Sequence, residues 1–309
     1  MDLRKPDNEF EVLSKIAKRS PIGDDALLVG IGDDAAVVNF GNQRVAITAD
    51  ALINGVHFDI RYFSILDIAV KSIAVNASDL AAMGATPRYF LVTVATPGEI
   101  DVEQLLFELQ NQAQRYGAIL IGGDLTHGGT FSISVTAIGT YSNGDRILKR
   151  SDASAGDTIM VTGPLGGSNL GLRQLQRSLE PSDNAAVLRH LGPQARIAQG
   201  LIGAKANASA AIDISDGLLG DLEHILISSG LGCELDFIPV FAGAELNDAL
   251  SGGEDYELIL TTPDPLELTR AFEAASLTPP ISVGRCVPTP EVRLLFGKTY
   301  QPTGYLHKL

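Results

Sequence analysis

The sequence predicts an α+β (mixed α/β) protein built from two lobes of similar size. The chain has 309 residues, and single hydrophobic cores rarely grow beyond roughly 250 residues, so about two domains are expected. Predicted strands and helices alternate without a long parallel βα series, which favours mixed sheets. A small, polar segment at 151–156 follows the first series of elements. We therefore predict two domains, at 1–148 and 149–309.

The first lobe combines helical and strand patterns of apolar residues. Phe10, Leu13, Ile16 and Ala17 share one face of a predicted helix over 9–19. The elements predicted after it are strands at 26–31, 35–40 and 44–48, a helix at 65–83, a strand at 90–95, a helix at 102–116, a buried strand at 118–121 that stops at Gly122, and a strand at 131–141.

The second lobe restarts the pattern with an apolar strand at 158–162 and a glycine-rich turn, Gly163–Ser168. That turn can present backbone N–H groups to an anion, or Ser168 can simply cap the next helix, and the sequence leaves both open. The elements predicted from there are a helix at 169–179, a helix at 217–229, strands at 233–237 and 256–262, a helix at 266–275 and a hairpin turn at 297–299.

Composition excludes several classes of function. Lys and Arg number 23 against 37 Asp and Glu, and the resulting net charge of −14 is wrong for clamping nucleic acid or an anionic membrane. Cys233 and Cys286 lie far apart in no metal-ligand spacing, so neither a disulfide framework nor a zinc or iron–sulfur site is expected. The charged N-terminal segment is not followed by the apolar region of a signal peptide, and no stretch reaches the ~18–20 apolar residues of a membrane span. We predict a cytoplasmic protein.

Five segments place aspartate beside glycine or other small residues. Aspartate is a short carboxylate ligand for Mg²⁺, and small neighbours let a phosphate approach the backbone. One such segment is equally typical of an Asx turn or a helix N-cap, but five favour a metal–phosphate centre. The segments are Gly32-Asp33-Asp34-Ala35, Thr48-Ala49-Asp50, Ser78-Asp79-Leu80-Ala81, Gly122-Gly123-Asp124 and Asp213-Ile214-Ser215-Asp216-Gly217.

Two segments match nucleotide-binding motifs in part of their residues but lack other features that those motifs require. Gly30–Ala35 matches the dinucleotide fingerprint, but two carboxylates would face the pyrophosphate and a strand follows instead of a helix. Gly297-Lys298-Thr299 ends like a phosphate-binding loop, but Val292 stands where that loop requires glycine.

Other polar residues give weaker signals. His57 follows a turn shortly after Asp50 and is a candidate substrate contact, whereas we predict a structural role for His224 and a surface role for Arg150. Gly252–Glu257 is a further glycine–acid cluster. The residues alone therefore predict a Mg²⁺-dependent enzyme acting on phosphorylated small molecules, either by phosphoryl transfer or by phosphate-ester hydrolysis.

In their order along the chain, these segments resemble the thiamine-monophosphate kinase family of the aminoimidazole-ribonucleotide synthetase-like superfamily. The block 78–84 together with 252–258 is typical of this kinase family rather than of the superfamily at large. The matching stretches are Gly30–Ala35, Asn54–Phe58, Lys71–Ala85, Leu120–Asp124, Val161–Gly163, Ile212–Leu218 and Gly252–Leu258.

The resemblance implies the two-lobed fold of that superfamily and ATP-dependent phosphorylation of thiamine monophosphate to thiamine diphosphate by direct in-line transfer. It also implies a homodimer, whose amino-terminal domain (1–148) binds metal and ATP and forms the dimer contact. Thiamine monophosphate and ATP are the expected partners, with no nucleic acid and no membrane. A different ATP-dependent activity of the superfamily and a non-catalytic metal-binding regulatory protein remain as alternatives.

The resemblance also assigns roles to residues. Several Mg²⁺ ions would be held by Asp33, Thr48, Asp50, Asp79, Asp124, Asp213 and Asp216. ATP would be met by Tyr116, Gly123, Asp124, Arg150 and Ser215. The thiamine moiety would be met by His57, Glu254 and Tyr305. The catalytic residues would be Asp50, Asp124 and Arg150. Two departures from the family pattern are Asp152, where glycine is usual, and the segment Gly192–Arg196.

Overall fold

The computed structural model describes residues 16, 25–98, 100–178 and 184–305. The predicted helix over 9–19 lies outside these residues, apart from Ile16, which is helical. Within the described ranges, no helix is both long and apolar enough to cross a membrane. The chain forms two sheets, one from each half of the sequence.

The first sheet has six strands in the order β1-β2-β3-β6-β4-β5, and only the β4–β5 pair is parallel. A parallel pair needs a crossover connection, and α2 supplies it. Helices α1 and α2 cover the face that buries Phe90, Val92 and Val94 of β4. The elements are β1 (Leu27–Val29), β2 (Ala36–Phe40), β3 (Gln43–Ile53), α1 (Ile65–Ala82), β4 (Thr86–Thr96), α2 (Val102–Arg115), β5 (Ile119–His127) and β6 (Ser132–Thr140).

The second sheet has seven strands in the order β13-β12-β9-β11-β7-β10-β8, with one parallel pair, β9–β12. A 3₁₀ turn, Arg150–Asp152, precedes it. The elements are β7 (Thr158–Val161), α3 (Gly167–Ser178), α4 (Ala185–Leu191), α5 (Ile197–Lys205), β8 (Ala211–Asp213), α6 (Leu218–Ser229), β9 (Gly232–Leu235), α7 (Leu246–Ser251), β10 (Leu258–Thr262), α8 (Pro265–Ala274), β11 (Ile281–Val287), β12 (Arg293–Leu295) and β13 (Lys298–Thr299).

Helix α1 joins the two halves. A capping box closes its N-terminus, where Ser64 Oγ accepts the backbone N–H of Asp67 and the Asp67 carboxylate accepts that of Ser64. Most residues from Ile68 to Ala82 are buried, including the polar residues Lys71 and Asn76. The helix packs on β3 and β6 of the first sheet and on α5 and β8 of the second half. Side chains on α1 therefore reach both halves.

Strand β5 differs from its prediction in both length and burial. It runs through Gly122-Gly123-Asp124 to His127 instead of stopping at Gly122, and most of its residues are exposed because it lies at the edge of the sheet. A Cβ on Gly123 would lie 1.7 Å from the carbonyl oxygen of Val92. Glycine thus lets the strand continue close beside β4, and the motif that we read as a strand end is part of the strand.

The other differences have simple causes. Strand β3 extends beyond the predicted 44–48 because it pairs with β6 as far as Ile53. The elements that the sequence patterns did not predict are short or rich in glycine and alanine, namely α4, α5, α7, β8, β11, β12 and β13. A hairpin turn is present, but it lies at 296–297 instead of the predicted 297–299, because Lys298 and Thr299 form β13 and pair with β12. The strand predicted after Asp34 is confirmed.

The two cysteines lie opposite each other. Antiparallel pairing of β9 with β11 sets Cys233 against Cys286, although 52 residues separate them in the sequence. Both are buried free thiols in this structure. Burial raises the pKa of both thiols, that of Cys286 to about 12. They are therefore neutral at physiological pH.

The contact of α5 with α1 depends on Gly200. A Cβ at this position would lie 2.0 Å from the carbonyl oxygen of Ala81, so we expect Gly200→Ala to push the helices apart and cost about 1–3 kcal/mol of unfolding free energy. Gly203→Ala on the same helix is the matched control, since its Cβ would meet side chains and no backbone atom, namely the Leu260 methyl groups at 3.3–3.4 Å and the Ala208 Cβ at 3.8 Å. Denaturant unfolding measures both variants, and equal stability would contradict the packing described here.

Candidate active site

Three carboxylates from distant parts of the chain meet at the junction of the two halves. Asp34 lies just before β2, Asp79 is on α1 and Asp213 ends β8. One oxygen from each lies within 4.8 Å of the others. Asp34 and Asp213 are buried. We call these three residues the acidic cluster.

Hydrogen bonds orient each member of the acidic cluster. Asp79 Oδ2 accepts from Thr48 Oγ1 and Asp213 Oδ2 accepts from Ser78 Oγ, both at 2.6 Å. The guanidinium of Arg150 donates to Asp34 at 2.8 Å. In the part of the chain that the structure describes, Arg150 is the cation that ion-pairs with the cluster. Three carboxylates thus face one positive charge.

Burial and repulsion by neighbouring carboxylates raise the pKa of Asp79 and Asp213. Desolvation is the largest cause for Asp79, followed by the charges of Asp50 and Asp213. Desolvation and the charge of Asp34 raise the pKa of Asp213 to about 8 and that of the neighbouring Asp33 to about 7. Hard carboxylate oxygens that lack cationic partners are the ligand set that Mg²⁺ prefers. The residues present therefore fit a divalent cation.

The other predicted metal ligands divide into two groups. Thr48 and Asp33 contact the cluster or its arginine, and Asp50 is close enough for its charge to raise the pKa of Asp79. Asp216 follows Asp213 in the loop before α6, where its backbone N–H donates to the buried Asp221. Asp124 is the exception, because the strand order β3-β6-β4-β5 puts three strand spacings between it and Asp50.

That separation is too large for one shared cation. The register aligns Asp50 with Val135, Val135 with Val92, and Thr93 with Asp124. Strands lie about 4.8 Å apart, so Asp50 and Asp124 are roughly 14 Å apart along the sheet. Mg²⁺ binds its ligands at about 2.1 Å. Within one copy of the chain, these two aspartates belong to different regions.

The predicted ATP contacts are also spread over the molecule. Gly123 lies on β5, whereas Tyr116 ends α2 and its hydroxyl accepts the backbone N–H of Ala195 at 3.2 Å. Ser215 lies beside Asp213, and its carbonyl accepts the N–H of Glu254. For Arg150 the predicted surface role is wrong, because the side chain is only 18% exposed and is ion-paired with Asp34. Ion pairing with Asp34 draws this arginine into the interior.

Two of the three predicted substrate contacts, Glu254 and Tyr305, lie against the loop that carries Asp216, and His57 is linked to Glu254 through a lysine. Tyr305 donates its backbone N–H to the carbonyl of Asp216 at 3.1 Å, and Glu254 donates its own to Ser215 at 2.7 Å. The Lys71 ammonium lies 2.6 Å from Glu254 Oε1 and donates to the carbonyl of His57, also at 2.6 Å. A single buried lysine thus connects His57 to Glu254.

The glycine-rich turn before α3 presents backbone N–H groups to an anion, as one of its two predicted roles requires, but that anion is a side chain of the protein. The carboxylate of Asp255 accepts the N–H groups of Gly166 at 2.5 Å and Ser168 at 3.2 Å, so a protein side chain already fills the anion position. Ser168 lies inside the helix, and its hydroxyl contacts His190 Nδ1 at 3.0 Å. Burial raises the pKa of Asp255 to about 6.

Sequence reasoning missed three charged residues of the site. Asp34 stands in a segment that we had identified, yet only Asp33 was chosen as a ligand. Asp221 lies in the first turn of α6, five residues after Asp216, and burial first, then the charges of Asp216 and Asp213, raise its pKa. Lys71 lies in a helix segment whose neighbouring residues are mostly apolar. A charged residue in such a segment was the available sequence signal that it has a specific role. For His224 the predicted structural role stays a prediction, and burial lowers its pKa to about 4.

Comparison with known protein families matches both halves of the chain. The model of the AIR synthase related protein, N-terminal domain, matches residues 32–141. The model of its C-terminal domain matches residues 154–296. Together the two matched ranges account for most of the chain, and the boundary between them lies between the two sheets.

Individual proteins match over similar lengths. The thiamine-monophosphate kinase of Salmonella typhimurium is 41% identical over 272 residues, which cover 81% of this chain and 78% of that protein. The thiamine-monophosphate kinase of Mycobacterium tuberculosis is 35% identical over 283 residues, which cover 84% and 81% respectively.

Solved structures agree with these matches. The structure described as AaThiL complexed with AMPPCP and TMP has a TM-score of 0.83 and 29% identity, and covers 97% of each chain. Thiamine-monophosphate kinase from Stenotrophomonas maltophilia has a TM-score of 0.75 and 35% identity, and covers 94% of this chain and 98% of that one. The resemblance inferred from the motifs and the two-lobed mixed fold are both confirmed.

The raised pKa values predict how stability depends on pH when no divalent cation is present. A carboxyl whose pKa is higher in the folded state binds its proton more tightly there, so stability is lost as pH rises through the folded value. In EDTA, we expect the melting temperature to fall between pH 6 and pH 9. Asp213→Asn, which can still accept from Ser78, should melt at least about 2–4 °C above the original chain at pH 8.5.

Magnesium ions should reverse the order of the two melting temperatures. Adding MgCl₂ at pH 8.5 should stabilise the original chain more than Asp213→Asn, because the substitution removes one charged ligand. Differential scanning calorimetry with and without EDTA makes the comparison. A melting temperature that is independent of pH in EDTA would contradict the repulsion described for the cluster.

Proposed function

This chain belongs to the thiamine-monophosphate kinase family, and we propose that it transfers the γ-phosphoryl group of ATP to thiamine monophosphate, releasing thiamine diphosphate and ADP. The observation that carries the proposal is the acidic cluster of Asp34, Asp79 and Asp213. A protein gains nothing from burying three carboxylates against one arginine unless further cations bind there. The relatives carry the same activity in their names.

The acidic cluster and its neighbours are the proposed metal site. We assign several Mg²⁺ ions to Asp33, Thr48, Asp50, Asp79, Asp213 and Asp216, and we add Asp34 because it belongs to the cluster. Bound there together with ATP, Mg²⁺ supplies the positive charge that allows two anionic groups to approach each other. The carboxylates of the chain keep the phosphates at one place and in one orientation.

No strong general base is required. The acceptor is a phosphate monoester whose second pKa is about 6, so it is largely ionised at neutral pH. This agrees with the histidines near the site, since burial lowers the pKa of both His190 and His224 to about 4. Catalysis by this chain would then consist mainly of alignment for in-line transfer and electrostatic stabilisation.

The remaining site residues have proposed binding roles. Tyr116, Gly123, Arg150 and Ser215 are assigned to ATP, and His57, Glu254 and Tyr305 to the thiamine moiety. Arg150 is suited to a charge-assisted contact with phosphate because Asp34 and the backbone hydrogen bond to Asp33 already hold it beside the cluster.

We also propose a cytoplasmic location and the domain division at 148/149.

We propose a homodimer in which Asp124 completes the site of a second copy. Among the described strands, β5 pairs with β4 alone, and Ile119, Ile121 and Leu125 are each more than half exposed. An open apolar edge of this kind invites pairing with another chain. At the opposite edge, β3 is paired with β2 only as far as Ile47, which leaves 48–53 open beside Asp50. Pairing these edges between copies brings Asp124 toward Asp50.

Two other functions were considered. A different ATP-dependent reaction of the superfamily would release ADP without thiamine monophosphate, and selenide chemistry would need a reactive cysteine, whereas Cys233 and Cys286 are buried with raised pKa. A regulatory protein that only binds metal would release no ADP. The acidic cluster of Asp34, Asp79 and Asp213 favours the kinase over both.

One assay separates the three functions. Purified protein with ATP and MgCl₂ should release ADP only when thiamine monophosphate is added, and thiamine diphosphate should appear in equal amount by liquid chromatography. ADP release that ignores thiamine monophosphate indicates another superfamily activity. No ADP release under either condition indicates a binding protein.

Asp50→Asn and Asp124→Asn should each lower turnover by at least ~10²-fold, because each removes a carboxylate from the proposed Mg²⁺ site at the reacting phosphates. Both variants should keep the circular dichroism spectrum of the original chain. Glu234→Gln is the control, since Glu234 pairs with Arg285 on the surface of the second sheet. A near-normal rate in either aspartate variant would remove that residue from the proposed site.

The two variants also test the dimer. If Asp124 acts on the other copy, a doubly tagged heterodimer of one Asp50→Asn chain and one Asp124→Asn chain regains one intact site, with about half the original activity. If both aspartates act within one copy, every site keeps a defect and the heterodimer stays inactive. Tandem affinity purification followed by the ADP assay distinguishes the two arrangements.

A further inference from the structure

We infer that Lys71 is a positioning residue for the thiamine side of the site, an inference that rests on the proposed function. Lys71 lies on α1, and its side chain is only 1% exposed. It is the largest fully buried side chain that carries a charge among the described residues. A buried ammonium is costly unless well-placed partners surround it.

The partners of Lys71 identify what it holds. Its Nζ lies 2.6 Å from Glu254 Oε1 and 2.6 Å from the carbonyl oxygen of His57, and it faces the ring of Phe63 at 5.4 Å from the centroid. Glu254 belongs to the second half of the chain and His57 to the first. One ammonium therefore fixes the relative position of the two residues proposed to contact thiamine.

Glu254 needs an anchor of this kind. Its φ is +57°, and that of Tyr256 is +50°, both in the left-handed region that residues with side chains rarely adopt. The N–H groups of the two residues are held by the carbonyls of Ser215 and Ile214 at 2.7 and 2.9 Å. The ion pair with Lys71 adds a side-chain restraint to this strained segment.

The charge balance around Glu254 also depends on Lys71. The other titratable contact of Glu254 is His190 Nδ1, at 3.4 Å from Oε2. Burial, and next the charge of Lys71, lower the pKa of His190 to about 4, so the imidazole is neutral at pH 7. Lys71 thus supplies the positive charge against a carboxylate whose side chain is 26% exposed. Without it, Glu254 would turn toward solvent, away from its position beside His57.

The test separates binding of the two substrates. Lys71→Met should raise the KM for thiamine monophosphate at least tenfold while the KM for ATP changes less than twofold. Ser72→Ala is the matched control, because Ser72 is a buried neighbour on α1 whose hydroxyl has no hydrogen-bond partner in the structure. It should leave both KM values unchanged. A KM for thiamine monophosphate within twofold of the original in Lys71→Met, or an equal rise for both substrates, overturns the inference.

A double-mutant cycle tests whether Lys71 acts through Glu254. Adding Lys71→Met to Glu254→Gln should raise the KM for thiamine monophosphate by less than twofold beyond Glu254→Gln alone, and multiplying effects would overturn the inference. If Lys71→Met does not fold, Lys71→Arg keeps the charge but displaces both partners and should raise the same KM three- to tenfold, and an unchanged value again overturns it. If the original chain neither binds nor phosphorylates thiamine monophosphate, the proposed function fails first, and the inference with it.

Discussion

Electrostatic repulsion between buried carboxylates is the constraint around which this molecule is organised. Asp34, Asp79 and Asp213 come from three separate elements and meet within 4.8 Å. The fold opposes their repulsion with hydrogen bonds from Thr48 and Ser78 and with one arginine. Burial and the neighbouring charges raise the pKa of Asp79 and Asp213. An arrangement that is unfavourable for an empty protein is suited to one that works with bound cations and phosphates.

Helix α1 makes that arrangement possible. It carries Asp79 toward the cluster and Lys71 toward the loops of His57 and Glu254, and it is buried against both sheets. Lys71 ion-pairs with Glu254 from the other half of the chain, and Asp79 accepts a hydrogen bond from Thr48 of the first sheet. The site therefore depends on the packing of the two halves as much as on any single loop.

The sequence predicted those parts of the site whose signals are local. Segments that combine aspartate with serine, alanine or glycine indicated a metal–phosphate site because close phosphate approach requires small residues, and two of these segments contain Asp79 and Asp213. Contacts across long sequence distances were not predictable. Lys71 and Glu254 are 183 positions apart, and nothing in the intervening residues indicates that they pair. Arg150 was assigned to the surface because no local pattern shows that Asp34 draws it inward.

Prediction of the fold had the same limits, since local patterns were predictable and contacts over long sequence distances were not. Long helices such as α1 and α2 follow from apolar spacing, whereas short elements such as α5 and β8 depend on partners elsewhere in the chain. The prediction that β5 is buried was wrong, because apolar residues at a sheet edge have the same sequence pattern as apolar residues in a core. Whether another segment covers such a strand depends on residues elsewhere, and the strand's own sequence pattern does not contain them.

The open edge of β5 has a consequence for how stability must be measured. When two copies cover such an edge, the free energy of unfolding includes the free energy of association, and the melting temperature rises with protein concentration. A single value obtained at one concentration then describes the assembly and the chain together. The same dependence links folding to expression level, since dilute chains would expose Ile119, Ile121 and Leu125 to any other available strand.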